Sequence, residues 1–163
     1  LSLHDALPIL RVQMYNEELL NKIANFIEKE PHRYNQSHWL EFVDNKEELC
    51  NTTCCIAGTA CLLDNKVNKD LLLIDGGSYD DVARKSLNIP DVVAELIFDG
   101  SFSLRKTKRA NTKAVVKFIR FLATSPSTKT IMKQINSDKF VPEETKKLLI
   151  NTLLDGLKSN HYV

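Results

Sequence analysis

The chain has 163 residues, 43% hydrophobic and 26% charged, with a formal net charge of +1. This is the composition of a globular protein rather than a disordered one. A chain of this length forms one domain that buries roughly 70% of its unfolded surface, so no disulfide or metal staple is needed. No stretch approaches the ~20 apolar residues of a membrane span, and we expect no membrane partner.

The chain opens on Leu1–Ile9, Leu-Ser-Leu-His-Asp-Ala-Leu-Pro-Ile. It lacks the basic start and the cleavage site of a signal peptide. We set residues 1–9 apart as an artefactual or disordered leader and read 10–163 as a single helical domain.

The first helix is expected from about Asn16 to Glu30. Asn16 suits the N-cap, and Glu17 and Glu18 complement the positive end of the helix dipole. Leu19, Leu20, Ile23, Ala24 and Ile27 recur at helical spacing as one buried stripe, and Pro31 ends the run. The segment His32 to Glu48 is polar and aromatic; we expect a loop or short helix that inserts Trp39 into the core. A second helix is expected to start at Asn51 or Thr52 and run to Leu63. Cys54, Cys55, Ala57, Gly58, Ala60 and Cys61 make it rich in small residues, and Gly58 alone costs it about 1 kcal/mol relative to Ala.

Leu71 to Ile74 is a short apolar run, a strand fragment or buried turn, before Asp75-Gly76-Gly77. Ser78-x-x-Asp81 has the form of a capping box for a helix through Leu87. Pro90 fits the first position of the next helix, with Gly100 as its stop. After a basic linker, Asn111 or Thr112 is expected to cap a helix carrying Ala114, Val115, Phe118, Ile119 and Leu122, broken by Ser125-Pro126. A short helix near Thr128 to Asn136 and a longer one from Pro142 to Lys158 follow. Six to seven helices without a repeat predict an all-α, single compact domain with orthogonal packing.

The stretch Cys50-Asn51-Thr52-Thr53-Cys54-Cys55-Ile56-Ala57-Gly58-Thr59-Ala60 resembles a small family of uncharacterised phage and bacterial proteins. Their shared pattern is a helix ending in proline, a polar segment with a tryptophan, then C-G-T-x-x-C-I-A-G-x-A. Trp39 holds the tryptophan position; Ala83, Leu87 and Ile89 match the segment that follows, and Ile97-Phe98-Asp99 a later Leu/Ile-Phe-Asp pair. The resemblance covers roughly residues 16 to 100. Asn51 stands where the family usually has glycine, and Asn tolerates the left-handed backbone region better than most residues. Leu1–Ile9 resembles translated sequencing-adapter DNA, which points to a metagenomic source.

The cysteines Cys50, Cys54, Cys55 and Cys61 fall within twelve residues, unlike a secreted disulfide framework, and we read them as reduced thiols of a cytoplasmic protein. Zinc would need a second ligand pair, and His32 and His38 sit in a separate segment, so we assign no metal. Cys54, read in the first turn of a helix, would gain nucleophilicity from the dipole. It has only His38 nearby as a base, and small thiols more often pack a tight helix crossing. His38-Trp39 could stack on a base or plug the core.

The clearest physical signal is electrostatic. Arg105, Lys106, Lys108, Arg109, Lys113, Lys117 and Arg120 occur with no acid among them. Placed at a helix start they would form an anion site; the competing reading is a solvated face balanced by Asp91, Glu95 and Asp99. We expect a non-enzymatic binder of a small phosphorylated, nucleotide-like ligand, with no cofactor and no catalytic residues. By analogy of context it would act like phage sponges that sequester nucleotide immune signals, in the host cytoplasm if phage-encoded. Phosphate contacts would come from Arg105, Lys106, Lys108, Arg109 and Lys113. Base and ribose contacts would come from Tyr34, His38 and Trp39, with Asn51, Thr52 and Thr53 as further donors. The alternative is a nucleic-acid- or protein-binding accessory factor; an enzyme ranks third, and a homo-oligomer is left open.

Overall fold

In the computed structural model, the residues described are 14–37, 40–42, 52–67, 79–99 and 102–159. Asn16 caps α1 (Glu17–Lys29): its Oδ1 accepts from Leu19 N at 3.1 Å, and all five members of the apolar stripe are buried. Pro31 begins a single 3₁₀ turn, Pro31–Arg33, rather than continuing the helix. Beyond it β1 (Leu40–Phe42) pairs antiparallel with β2 (Thr52–Cys54), Leu40 opposite Cys54 and Phe42 opposite Thr52. Tyr34 bridges to Cys54 in parallel sense, and Asn35 N donates to Cys54 O at 3.1 Å. The edge of β2 is thereby covered, and the chain after the 3₁₀ turn is fixed in place.

The short helix expected after Pro31 is present as the 3₁₀ turn, and β1 adds a strand to that expectation. One helix boundary is corrected. The helix expected from Asn51 or Thr52 instead starts at Ile56, as α2 (Ile56–Leu63). Thr52 and Thr53 are β-branched and take the strand geometry they favour. Cys55 is the N-cap, its Sγ accepting from Gly58 N at 3.4 Å.

The remaining helices are α3 (Tyr79–Leu87), α4 (Asp91–Phe98), α5 (Lys108–Leu122), α6 (Thr128–Ser137) and α7 (Glu143–Ser159). Pro90 is the N-cap of α4 rather than its first helical residue, and α4 ends at Phe98. Trp39, the run Leu71–Ile74, Ser78, Gly100 and the leader 1–9 lie outside the described residues. The fold is all-α: among the described residues, β pairing is confined to the two three-residue strands and the bridge from Tyr34 to Cys54.

Every helix contributes to one buried apolar cluster, including Ile23 of α1, Ala60 of α2, Leu87 of α3, Ile97 of α4, Ile119 of α5, Ile135 of α6 and Leu153 of α7. The most extensive packing joins α1 to α5, α2 to α3 and α4 to α7. The residues Ile56 to Cys61 are buried without a break. Small side chains let α1, α3, α4 and β2 all approach α2, and this close packing offsets the helix cost of Gly58.

The chain entering α1 is clasped by two breaks elsewhere. Asn88 (φ 51) donates from Nδ2 to Met14 O at 2.7 Å, and Ser125 (φ 53) accepts from Tyr15 N on its Oγ at 2.8 Å. A non-glycine residue in the left-handed region costs roughly 1–2 kcal/mol, so each clasp holds its residue against strain. We expect Ser125→Ala to destabilise the protein by about 1–3 kcal/mol, because Tyr15 N loses its acceptor while the strain remains. Ser125→Gly loses the same bond but relieves the backbone, and should be the milder variant. Urea unfolding of both checks the order, and equal losses would show that the backbone at Ser125 carries no strain.

Candidate functional site

The basic segment is where the structure departs most from its sequence reading. Thr107, not Asn111 or Thr112, is the N-cap of α5, with its Oγ1 accepting from Ala110 N at 3.4 Å. Lys108 and Arg109 therefore stand in the first turn of the helix instead of preceding it. Asn111 is left to serve the entering loop: its Oδ1 accepts from Leu104 N at 2.6 Å and Arg105 N at 3.1 Å. Thr112 is buried, its hydroxyl donating to Lys108 O at 2.9 Å.

Among the described residues no ion pair joins Asp91 or Glu95 of α4 to these cations. Asp91 pairs with Arg84 at 2.9 Å, and Asp91, Glu95 and Asp99 line a cleft of about 550 Å³ together with Asp80 and Asp81. Burial, with the neighbouring Asp81, pushes the Asp80 carboxyl up. A cleft of that sign repels a phosphate, whatever its size.

Two basic residues have acidic partners elsewhere. Arg105 Nη2 donates to Asp138 at 2.9 Å, its Nη1 to its own Leu104 carbonyl at 2.6 Å, and its guanidinium lies 5.8 Å from the Phe140 ring centre. Burial works to raise the Asp138 carboxyl, but bonds from Phe140 N and Arg105 outweigh it and hold it below its ordinary range. Arg120 pairs with Glu28 of α1 and donates to Asn25 at 3.1 Å. Among the described residues no ion pair engages Lys106, Lys108, Arg109, Lys113 or Lys117, and all five are exposed.

Lys106 and Lys108 line a groove of about 290 Å³ together with Asn111, Thr112 and the segment Tyr34 to Ser37. The groove brings together Tyr34, Arg105, Lys106 and Lys108 from segments some seventy positions apart. Arg109 and Lys113 do not line it; they face outward along α5. Thr52 and Thr53 belong to β2, while His38, Trp39 and Asn51 fall outside the described residues.

The Tyr34–Ser37 wall is tied down by hydrogen bonds. Tyr34 is buried, and its hydroxyl donates to Gln36 Oε1 at 3.1 Å. Burial pushes its phenol far up, so it stays neutral. Its ring is packed on the core side and offers no open face for stacking. Gln36 Nε2 donates to Ile97 O at 2.9 Å and Asp99 O at 3.0 Å, which clips this wall onto the end of α4. Nothing in the sequence pattern marked Gln36 or Asp138, because each acts through a partner far along the chain. Gln36→Glu would turn a carboxylate towards two carbonyl oxygens. We expect it to destabilise the fold by about 1–3 kcal/mol, more than Gln36→Ala does; a more stable Glu variant would show that the clip does not form.

The thiols are placed for packing. Cys54 lies in β2, not in a helical turn, so no dipole activates it. Thr59 Oγ1 donates to Cys55 O at 2.7 Å, so in its 3.1 Å contact with Cys54 the thiol is the donor. Burial pushes the Cys54 thiol up, Cys55 to about 11 and Cys61 to about 12, against an ordinary 9.0. A folded-state value raised in this way leaves stability whole below about pH 9 and erodes it as pH climbs towards 11 and 12. Native protein at pH 8 should resist iodoacetamide at all three described cysteines and react promptly in denaturant. Rapid modification of Cys54 in the native state would overturn the packing role. Compared with known protein families, curated proteins and solved structures, the chain matches none.

Proposed function

We propose that the protein is a non-enzymatic binder of a small phosphorylated, nucleotide-like ligand, held in the groove between the Tyr34–Ser37 segment and the start of α5. The observation that carries this reading is the convergence of Lys106 and Lys108 on a groove at the N-terminal end of a fifteen-residue helix. Free N–H groups and the dipole favour an anion there before any side chain acts. The first turn of α5 holds no acid but has Lys108 and Arg109, cations at the positive end of the dipole. For the helix alone that arrangement is unfavourable, by roughly 0.3–1 kcal/mol per charge. An anion removes the conflict.

The groove is at the small end of the roughly 300–1,000 Å³ range of ligand sites, a size for one nucleotide unit rather than a long polymer. Phosphate contacts fall to Lys106 and Lys108, since the Arg105 guanidinium is held by Asp138. His38 and Trp39 follow Ser37 in the chain and are the proposed contacts to base and ribose. The buried thiols of Cys54, Cys55 and Cys61, their ionisation pushed up by burial, are poor nucleophiles, which favours binding over turnover. A protein that holds such a ligand without altering it acts by sequestration, as phage sponges do with nucleotide immune signals. A cytoplasmic location follows from that role, and no helix among the described residues is long and apolar enough to cross a membrane.

A second reading draws on Arg109, Lys113 and Lys117, exposed and spaced four apart along α5. Such a stripe suits the phosphates of a nucleic-acid strand, with binding that weakens steeply with salt. The two readings predict opposite orders of effect. Calorimetric titration with AMP, a cyclic dinucleotide and oligonucleotides of increasing length decides between them. Under the groove reading Lys108→Ala costs about 1.5–3 kcal/mol of affinity for a mononucleotide, and Arg109→Ala and Lys117→Ala cost less. Affinity confined to oligonucleotides and lost mainly with Arg109→Ala or Lys117→Ala would replace sequestration with a nucleic-acid role.

A further inference from the structure

Asn111 lines the groove near the end of the first turn of α5. Its Oδ1 accepts from both Leu104 N and Arg105 N, at 2.6 and 3.1 Å. Two donors on one atom fix which end of the amide is oxygen. The Nδ2 group, with two N–H donors, is what the side chain has left to offer.

For holding the loop alone, aspartate would be the stronger residue. A carboxylate would accept the same two N–H groups as charge-assisted bonds. It would complement the positive end of α5, and it would stand among the unneutralised Lys106, Lys108 and Arg109. Each of these effects favours Asp over Asn for folding. Asparagine exceeds it in one respect: it donates, and it brings no negative charge.

Resting on the anion-binding reading above, we propose that Asn111 is the specificity-determining residue of the groove. Its oxygen ties down the loop from Leu104 to Arg105, and its Nδ2 donates to an oxygen of the bound phosphate. The same side chain thus builds the wall and reads the charge of what enters. A carboxylate in its place would keep the wall and repel the ligand.

The test compares Asn111→Asp and Lys108→Ala with the unaltered protein, using AMP and inorganic phosphate as probes and adenosine as the uncharged control. Asn111→Asp should melt at the same temperature or higher and lose roughly tenfold or more in affinity for AMP and phosphate, as a lost charge-assisted bond plus repulsion requires. In nitrogen-15 spectra of the unaltered protein, the Asn111 side-chain amide should shift on titration with phosphate and stay still with adenosine. A purely structural Asn111 would leave that resonance unmoved. If Lys108→Ala weakens AMP binding while Asn111→Asp binds as before, or if the Asn111 amide stays still while the Lys108 backbone amide shifts, this inference falls and the groove reading stands. If neither AMP nor phosphate moves any resonance of the groove, both fall.

Discussion

The constraint on which the fold depends is the complete burial of the first six residues of α2. A helix buried on all sides needs neighbours on all sides, and only small side chains let several backbones come close at once. Ala57, Gly58, Ala60 and Cys61 meet that need, and α1, α3, α4 and β2 close around them. The thiols belong to this arrangement. Cys55 caps the helix, Cys54 anchors the strand before it, and Cys61 reaches the Tyr79 carbonyl at 3.7 Å. Each is a small apolar residue that also satisfies a polar atom, which alanine cannot do.

The groove follows from the same centre. β2 leads directly into α2, so the position of α2 sets the position of β2, and the bridge from Tyr34 to Cys54 sets that of the Tyr34–Ser37 wall. Gln36 then joins this wall to the end of α4. On the opposite side, α5 is placed by its packing on α1, and its entering loop by Asn111 and the Arg105–Asp138 pair. Neither wall depends on a ligand for its shape. For the proposed ligand, walls held by bonds within the chain would spare the cost of ordering the chain on binding.

The helices were legible wherever a local signal decided them. Asn16 with its acidic first turn, Ser125-Pro126 and the Leu149–Leu153 spacing each act within one turn of chain, and each is seen in the structure. The misreadings come from contacts that periodicity does not carry. Thr52 to Cys54 read as helix because the stretch that follows is helical, yet pairing with Leu40 to Phe42 draws them into a strand. Asn111 read as a cap because it suits one, yet Thr107 holds that position and Asn111 turns back to the loop. In the site, the cluster of cations was visible as a run of like charge, but its division was not. Arg105 and Arg120 are neutralised by Asp138 and Glu28, tens of residues away in the chain, and only the fold tells them from Lys106 and Lys108.

That division also bears on why the basic segment reads better as a groove than as a face. A protein built to bind a long polyanion gains from every cation it can lay along the strand, and has no reason to neutralise Arg105 and Arg120 internally. Here two of the segment's three arginines, the side chains best shaped to fork around a phosphate, are committed to carboxylates, and Arg109 stands exposed beside Lys108. The lysines are left in two sets. Lys106 and Lys108 converge with Asn111 on a concave site, while Lys113 and Lys117 continue outward along α5. Lysine meets a phosphate as a mobile point charge and gives little geometric selectivity by itself. Under the proposed binding reading, selectivity would come from groups held by the fold, which here are Asn111, bonded to two backbone N–H groups, and Gln36, bonded to two carbonyl oxygens.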